Sequence, residues 1–351
     1  MIYLFGWAGC LLVLMISGLT HYRGRFFVFI LLFFFLGVAF LRGAVGTDTA
    51  NYERMFADFI DIYYIWTGRE PGFVALGWLL ATLAPTIEAG VRLISVVFFA
   101  LIALFVARAD KNELFLLLAY IFPAFAYQYS MNALRIGLAS AFILLMVQEV
   151  RLKDAQAAIK FGVAAALFHY TVLLSIVILF LSQQAWGQLS TVVKNIVLLV
   201  LLSFGLLSVD FYVADKLEVY TSGDYSKPSA LSGLSILIPN IIILVGILFS
   251  FFPRAEKFKL FFLFLLVFGS GMIITQFTYA GLRILNLGGF VMPLCVLASY
   301  SRLGLKFGRK FKFSLLAAGL LSAIGVYRGF LIGYGEGPSP FLPYTASFSL
   351  F

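Results

Sequence analysis

Apolar runs long enough to cross a bilayer, each broken by a short polar loop, recur along the chain from end to end. A crossing helix needs about 20 predominantly apolar residues. The runs predict spans at 1–20, 25–42, 88–107, 113–128, 131–150, 192–209, 233–252, 258–280, 284–300 and 313–332. Two stretches break the rhythm. Phe73 to Pro85 is too short to cross, so it reads as a re-entrant or half-helix that returns to the face it left. Residues 157–182 are apolar but interrupted at His169-Tyr170, which predicts either two half-helices meeting at the histidine or one ordinary helix. Broken helices are tolerated at membrane depth only where they are buried or line a cavity. The pattern predicts an all-α, polytopic integral membrane protein of about 10–12 transmembrane helices, forming one transmembrane domain over 1–351.

Composition agrees and removes alternatives. Hydrophobic residues make up 62% of the chain and charged residues 12%, half of the roughly 25% typical of a water-solvated domain. Cys10 and Cys295 each lie inside an apolar run, so no disulfide framework is expected. Neither histidine has a ligand-type neighbour at metal-binding spacing, so neither a metal nor another cofactor is expected. Met1 to Leu19 lacks a basic leader and reads as a retained helix with its N-terminus outside.

The net charge of +9 needs no nucleic acid, because basic residues of membrane proteins concentrate in cytoplasmic loops. Arg151 to Lys153, Arg254 to Lys259 and Arg302 to Lys312 are such loops. Placing them in the cytoplasm puts loops 43–70 and 210–232, the turns 129–132 and 279–283, and the tail 333–351 on the outer side.

That orientation exposes an anomaly. Arg42, Arg69, Arg92, Arg135, Arg283 and Arg328 lie in, or at the outer ends of, apolar segments, and none of these positions is a lysine. One reading is snorkelling to the interface; the other is the grip of a planar fork on phosphate or carboxylate oxygens, which suits arginine and not lysine. A lipid-linked diphosphate at the outer leaflet is the ligand such a set would fit.

Proton-handling residues lie on the same side. If the chain is helical after Thr47, then Asp48, Tyr52, Met55 or Phe56, and Phe59 share one face. Phe59 and Trp66 would then rest at the membrane interface while Asp48 and Tyr52 face a site; alternatively Asp48 or Thr47 is only an N-cap. Glu70 directly precedes Pro71, either to favour a helix dipole or to act as a base. Asn132 and Arg135 are expected on one face of a first helical turn. His169 is either a satisfied core histidine or a proton shuttle. The outer loop and tail carry Tyr220, Tyr225 and Tyr344, suited to sugar contact or to any interfacial loop.

Four elements in order, Arg42-Gly with Gly46-Thr-Asp48 and Asn51-Tyr52, then Glu70-Pro-Gly-Phe73, then Asn132-Ala-Leu-Arg135, then Phe168-His169, resemble the EpsG-type, Wzy-like polysaccharide polymerases over about the first half of the chain. The resemblance implies a GT-C-like fold in a bacterial cell inner membrane, with periplasmic loops and a site facing the periplasm. It implies joining of polyprenyl-diphosphate-linked oligosaccharide repeat units, donor and acceptor alike, by metal-independent glycosyl transfer. His169, Asp48 and Glu70 would then be the catalytic candidates, Arg42, Arg135, Arg283 and Arg69 the diphosphate-binding ones, and Tyr52, Asn132, Tyr220 and Tyr344 the sugar or acceptor contacts. A chain-length regulator and a flippase are the expected protein partners, alongside membrane lipid. Competing readings are a lipid-linked oligosaccharide flippase or transporter, which should carry cations through both leaflets, a ligase, and an O-acyltransferase, which should pair its histidine with an adjacent acid.

Overall fold

The computed structural model describes residues 2–19, 24–60, 70–183, 232–276, 279–332 and 341–346. Among them every regular element is helical: α1 (Ile2–Leu19), α2 (Gly24–Phe40), α3 (Thr49–Phe59), α4 (Pro71–Leu83), α5 (Ile87–Arg108), α6 (Lys111–Asn132), α7 (Leu134–Leu152), α8 (Ala155–Phe168), α9 (Val172–Gln183), α10 (Leu234–Leu248), α11 (Arg254–Thr275), α12 (Ala280–Arg302) and α13 (Arg309–Ile332). The chain is a polytopic membrane protein. Among the described residues, α5, α6, α11, α12 and Arg309–Arg328 of α13 are long and apolar enough to cross a bilayer, and α1, α2, α4, α8, α9 and α10 are shorter apolar helices. The predicted span 192–209, Arg69, Trp66, Tyr220 and Tyr225 lie outside the described residues.

Local chemistry sets the ends of these helices. Thr86 caps α5 by accepting from the Ala89 N–H (3.1 Å). Asp110 and Glu113 form a reciprocal capping box at the start of α6. Lys153 adopts a left-handed conformation to end α7, and Asp154 caps α8 through the Ala157 N–H.

The chain forms two compact units, Met1–Val172 with Leu315–Phe351, and Leu173–Ser314. The first unit packs an aromatic core in which Phe35 meets Phe122 (5.2 Å) and Tyr127 (5.0 Å), and Trp7 meets Tyr127 (6.0 Å). The 13-residue α4 rises only about 20 Å, too little to cross, and packs on α3, α5 and α8. In the second unit α12 is apolar on nearly all sides from Leu285 to Tyr300 and is correspondingly buried there against α10 and α11. Glu256 of α11 ties Arg302 (2.6 Å) and Lys259 (3.0 Å) at one end of that unit.

Three sequence expectations meet particular outcomes here. The interruption at His169 is real: α8 stops at Phe168, His169 is extended (φ −162°, ψ 113°), and α9 starts at Val172. The turn at 129–132 is corrected. Gln128–Asn132 is a π-helical turn that carries α6 on to Asn132, and the chain breaks at Ala133 (φ −93°, ψ 63°). Asn132 and Arg135 therefore belong to different helices. The helix after Thr47 forms with the expected face, Tyr52, Phe56 and Phe59 all being buried. Phe59, however, is wholly enclosed against Phe73 and Gly77 of α4 and does not rest at an interface.

Candidate active site

Three backbone irregularities in the first unit build the site. The first is loop 41–48 between α2 and α3. Gly46 has φ +108°, a conformation open to glycine, and a Cβ there would stand 3.2 Å from Asn132 Oδ1. This close turn lets Asn132 Oδ1 accept from both Thr47 Oγ1 and the Asp48 N–H, each at 3.0 Å. Asp48 occupies the N-cap position of α3 without a side-chain capping bond.

The second irregularity is the start of α4. Proline disfavours helical backbone in the residue before it, and Glu70 stands at φ −50°, ψ 100° ahead of Pro71. A Cβ on Gly72 would lie 3.0 Å from Leu167 Cβ and 3.1 Å from the Leu167 carbonyl carbon. The first turn of α4 thus lies directly against the last turn of α8, an approach that the missing side chain permits. The third irregularity is the extended His169 at the end of α8.

Together these bring Glu70 between two basic side chains. Arg135 Nη1 donates to Glu70 Oε2 (2.7 Å), and His169 Nδ1 bonds Glu70 Oε1. Side-chain exposures are 8% for Glu70, 28% for Arg135 and 15% for His169. Burial alone would raise the Glu70 carboxyl, but the His169 hydrogen bond and the Arg135 charge outweigh it and hold the group below its ordinary range. An ionised carboxylate only accepts hydrogen bonds, so Nδ1 carries a proton, and in the neutral ring Nε2 is the acceptor. Tyr52, whose phenol burial pushes up, lies beside Arg135 and near Asp48; its ring packs on Phe73 (5.8 Å).

The other candidates are placed as follows. Arg42 is completely buried; its Nη1 donates to the Ser130 carbonyl (2.8 Å), and its Nε and Nη2 have no hydrogen-bond partner among the described residues. Arg92, also buried, donates from Nε to the Arg42 carbonyl (3.0 Å) and from Nη2 to the Gly43 carbonyl (3.1 Å), and pairs through Nη1 with Glu53 (3.0 Å). Tyr344 donates to the Val38 carbonyl (2.8 Å). Arg283 is exposed in the first turn of α12, in the second unit. The structure therefore gathers Asp48, Tyr52, Glu70, Asn132, Arg135 and His169 in one region, with Arg42 beneath the loop. Sequence reasoning noted Arg92 only as a misplaced cation, and it missed Glu53, the partner of Arg92, and Ser130, whose carbonyl takes Arg42.

A buried carboxylate holding an imidazole and a guanidinium, assembled at helix breaks, defines a polytopic membrane protein with an acid–histidine–arginine site. The chain belongs to the EpsG family, whose pattern matches residues 24–346. The likeness noted over the first half thus extends over nearly the whole chain. Membership places the protein among polysaccharide-polymerase-like membrane proteins. No curated protein and no solved structure matches the chain.

Proposed function

We propose that this protein joins oligosaccharide repeat units carried on polyprenyl diphosphate, at the periplasmic face of a bacterial inner membrane, building a surface polysaccharide. The observation that carries the reading is the engagement of Glu70 by Arg135 as well as by His169: the histidine–acid pair alone would also meet the requirement of an O-acyltransferase, and the arginine fork is what suits a departing diphosphate. Transfer forms a bond from an acceptor hydroxyl oxygen to the donor's anomeric carbon. It breaks the anomeric carbon–oxygen bond, whose electron pair leaves with the lipid diphosphate. The acceptor proton goes to His169 Nε2, the acceptor atom of the neutral ring. Glu70 fixes the tautomer and stabilises the imidazolium that results, which makes it a positioning residue and moves the role of base to His169.

Arg135 supplies the complementary charge. A guanidinium has five N–H donors in a rigid fork, more than Glu70 uses, and it meets the charge growing on the leaving diphosphate. Arginine in that role leaves the reaction without need of a cation. Asp48, whose backbone is held by Asn132, and Tyr52 contact the acceptor sugar. Arg42, buried under the loop, acts through the loop and not by touching diphosphate.

The reading is tested with purified protein in liposomes, a lipid-diphosphate-linked repeat unit and excess EDTA. A ladder of longer glycans is expected. Movement of the unit between leaflets with no ladder overturns the proposal in favour of a flippase.

A further inference from the structure

Segment 341–346 returns across the chain to the loop that carries Asp48. Phe341 is buried, and its carbonyl accepts from Tyr3 Oη (3.1 Å). Tyr344 Oη donates to the Val38 carbonyl in the last turn of α2. The Gly43 N–H donates to the Thr345 carbonyl (2.8 Å), and Ala346 forms an antiparallel bridge with Arg42. Tyr3 itself is fixed, its ring packed against Tyr127 (4.9 Å) and Tyr344 (6.1 Å). Meanwhile Arg92 takes the carbonyls of Arg42 and Gly43. The backbone at 42–43 is thus gripped by α5 and by a segment some 300 residues further along the chain.

From this double grip we propose that residues 341–346 are a strap that positions the loop Arg42–Asp48 for glycosyl transfer, with Arg92 as its counterpart. This rests on the polymerase reading above. The strap and Arg92 fix the loop where it leaves α2, at residues 42 and 43, and so set the direction in which it runs on to Gly46 and Asp48. With its start fixed there, the loop runs to the Asp48 N–H that Asn132 Oδ1 receives. Misplacing a reacting group by about 1 Å costs on the order of 100-fold in rate, so a strap far from the transferred bond has a measurable effect on turnover. The anchors at Phe341, Tyr344, Thr345 and Ala346 leave none of its described turns unattached, which suits a fixed brace and not a lid that lifts for each substrate.

The geometry supplies its own test. A Cβ on Gly43 would lie 3.6 Å from Thr345 Cβ, within the roughly 3.5–4.5 Å span of a disulfide. Cys10 and Cys295 are buried and do not compete. In full-length protein, Gly43→Cys with Thr345→Cys is expected to cross-link under mild oxidant and to keep wild-type turnover. Phe341→Asp, which ejects the strap, is expected to lower kcat about 10- to 100-fold with a smaller change in KM. Adding the cystine to Phe341→Asp is expected to restore the rate, and reduction to remove it again. The proposal is overturned if Phe341→Asp keeps full turnover, if the cystine forms without restoring it, or if the cross-linked wild-type background is inactive until reduced.

A readout independent of activity separates the two ideas. Thr49 is buried beneath the loop, so Thr49→Cys is expected to react slowly with a maleimide in the wild-type background and quickly with Phe341→Asp. If this change appears while no protein, wild type included, makes glycan, the polymerase reading fails and the strap's hold on the loop stands. If wild type makes glycan and labelling does not change, the strap is wrong.

Discussion

An arginine–glutamate cluster lies at each end of helices α5, α6 and α7, and the two clusters do different work. At the end away from the site, Arg108 pairs with Glu149 (2.5 Å) and Arg151 with Glu113 (2.7 Å). Arg151 also donates to the Arg108 carbonyl, Gln148 to the Phe105 carbonyl and Arg25 to the Ala109 carbonyl. Arg108 and Arg151 sit in last turns and Glu113 in a first turn, where each complements the helix dipole. This is a brace: charges are used on helix ends and on backbone carbonyls. At the other end a single carboxylate lies between two basic side chains, one of them an imidazole, and both partners stand beside a helix break. Bond lengths do not separate the two clusters. What does is whether the charges close the backbone or hold each other for a third party.

Four measurements would break or sharpen that contrast. The largest effect is expected at the shared acids. Glu70→Gln should lower turnover per folded molecule by about 10³-fold, as loss of a general base's partner does, with a loss of thermal stability too small to account for it. Glu113→Gln should do the reverse, lowering the melting temperature by removing the charge paired with Arg151 while turnover per folded molecule holds. Equal loss of activity in both variants would erase the distinction.

At the arginines, Arg135→Lys should cost on the order of 100-fold in kcat, comparable to losing one oriented donor to developing charge, because an ammonium cannot reproduce the fork. Arg108→Lys should cost less than about 1 kcal/mol of stability and leave kcat alone. Glycan synthesis and thermal melting on the same preparations decide both.

Smaller effects follow from pH and from Gly72. The Glu70 carboxyl is held below its ordinary value of 4.5, so its contribution to stability is complete above that value and fades as pH falls through the lower folded one. Melting temperature in wild type should therefore fall more steeply than in Glu70→Gln below about pH 4.5; parallel curves would contradict the double engagement. Last, Gly72→Ala should push α4 a few tenths of an ångström from Leu167 and lower kcat several-fold, and Gly72→Val should lower it further. Unchanged turnover in both would show that the close approach does not set the distance from Glu70 to His169.

Much of this site was legible before the structure. The break at His169 and the face made by Tyr52, Phe56 and Phe59 follow from local signals, an interruption in an apolar run and helical spacing, and the grouping of Asp48, Glu70, Arg135 and His169 from the orientation and the family resemblance. The role of Glu70 did not. A charge in an apolar segment announces that a partner exists, but the partner lies 65 residues away for Arg135 and 99 for His169, and no local pattern encodes that. Arg92 shows the same limit, since its fork grips backbone carbonyls, which every residue possesses. The boundary near Asn132 was misplaced for a different reason. A π turn has no compositional mark, so periodicity ended the helix before the residue that closes it.

Those π turns make chain length itself a determinant of the site. Each of Leu117–Ile121 and Gln128–Asn132 accommodates one residue more than an α-helix would, without ending α6. At 3.6 residues per turn one residue is about 100° of rotation. Removing a single residue from 128–132 would restore ordinary helical phase and swing Asn132 by that angle, away from Thr47 and Asp48, although every side chain named at the site would still be present. Between homologues, a one-residue gap in α6 would therefore signal a rewired loop more strongly than most substitutions, and a scan by point mutation would never see it.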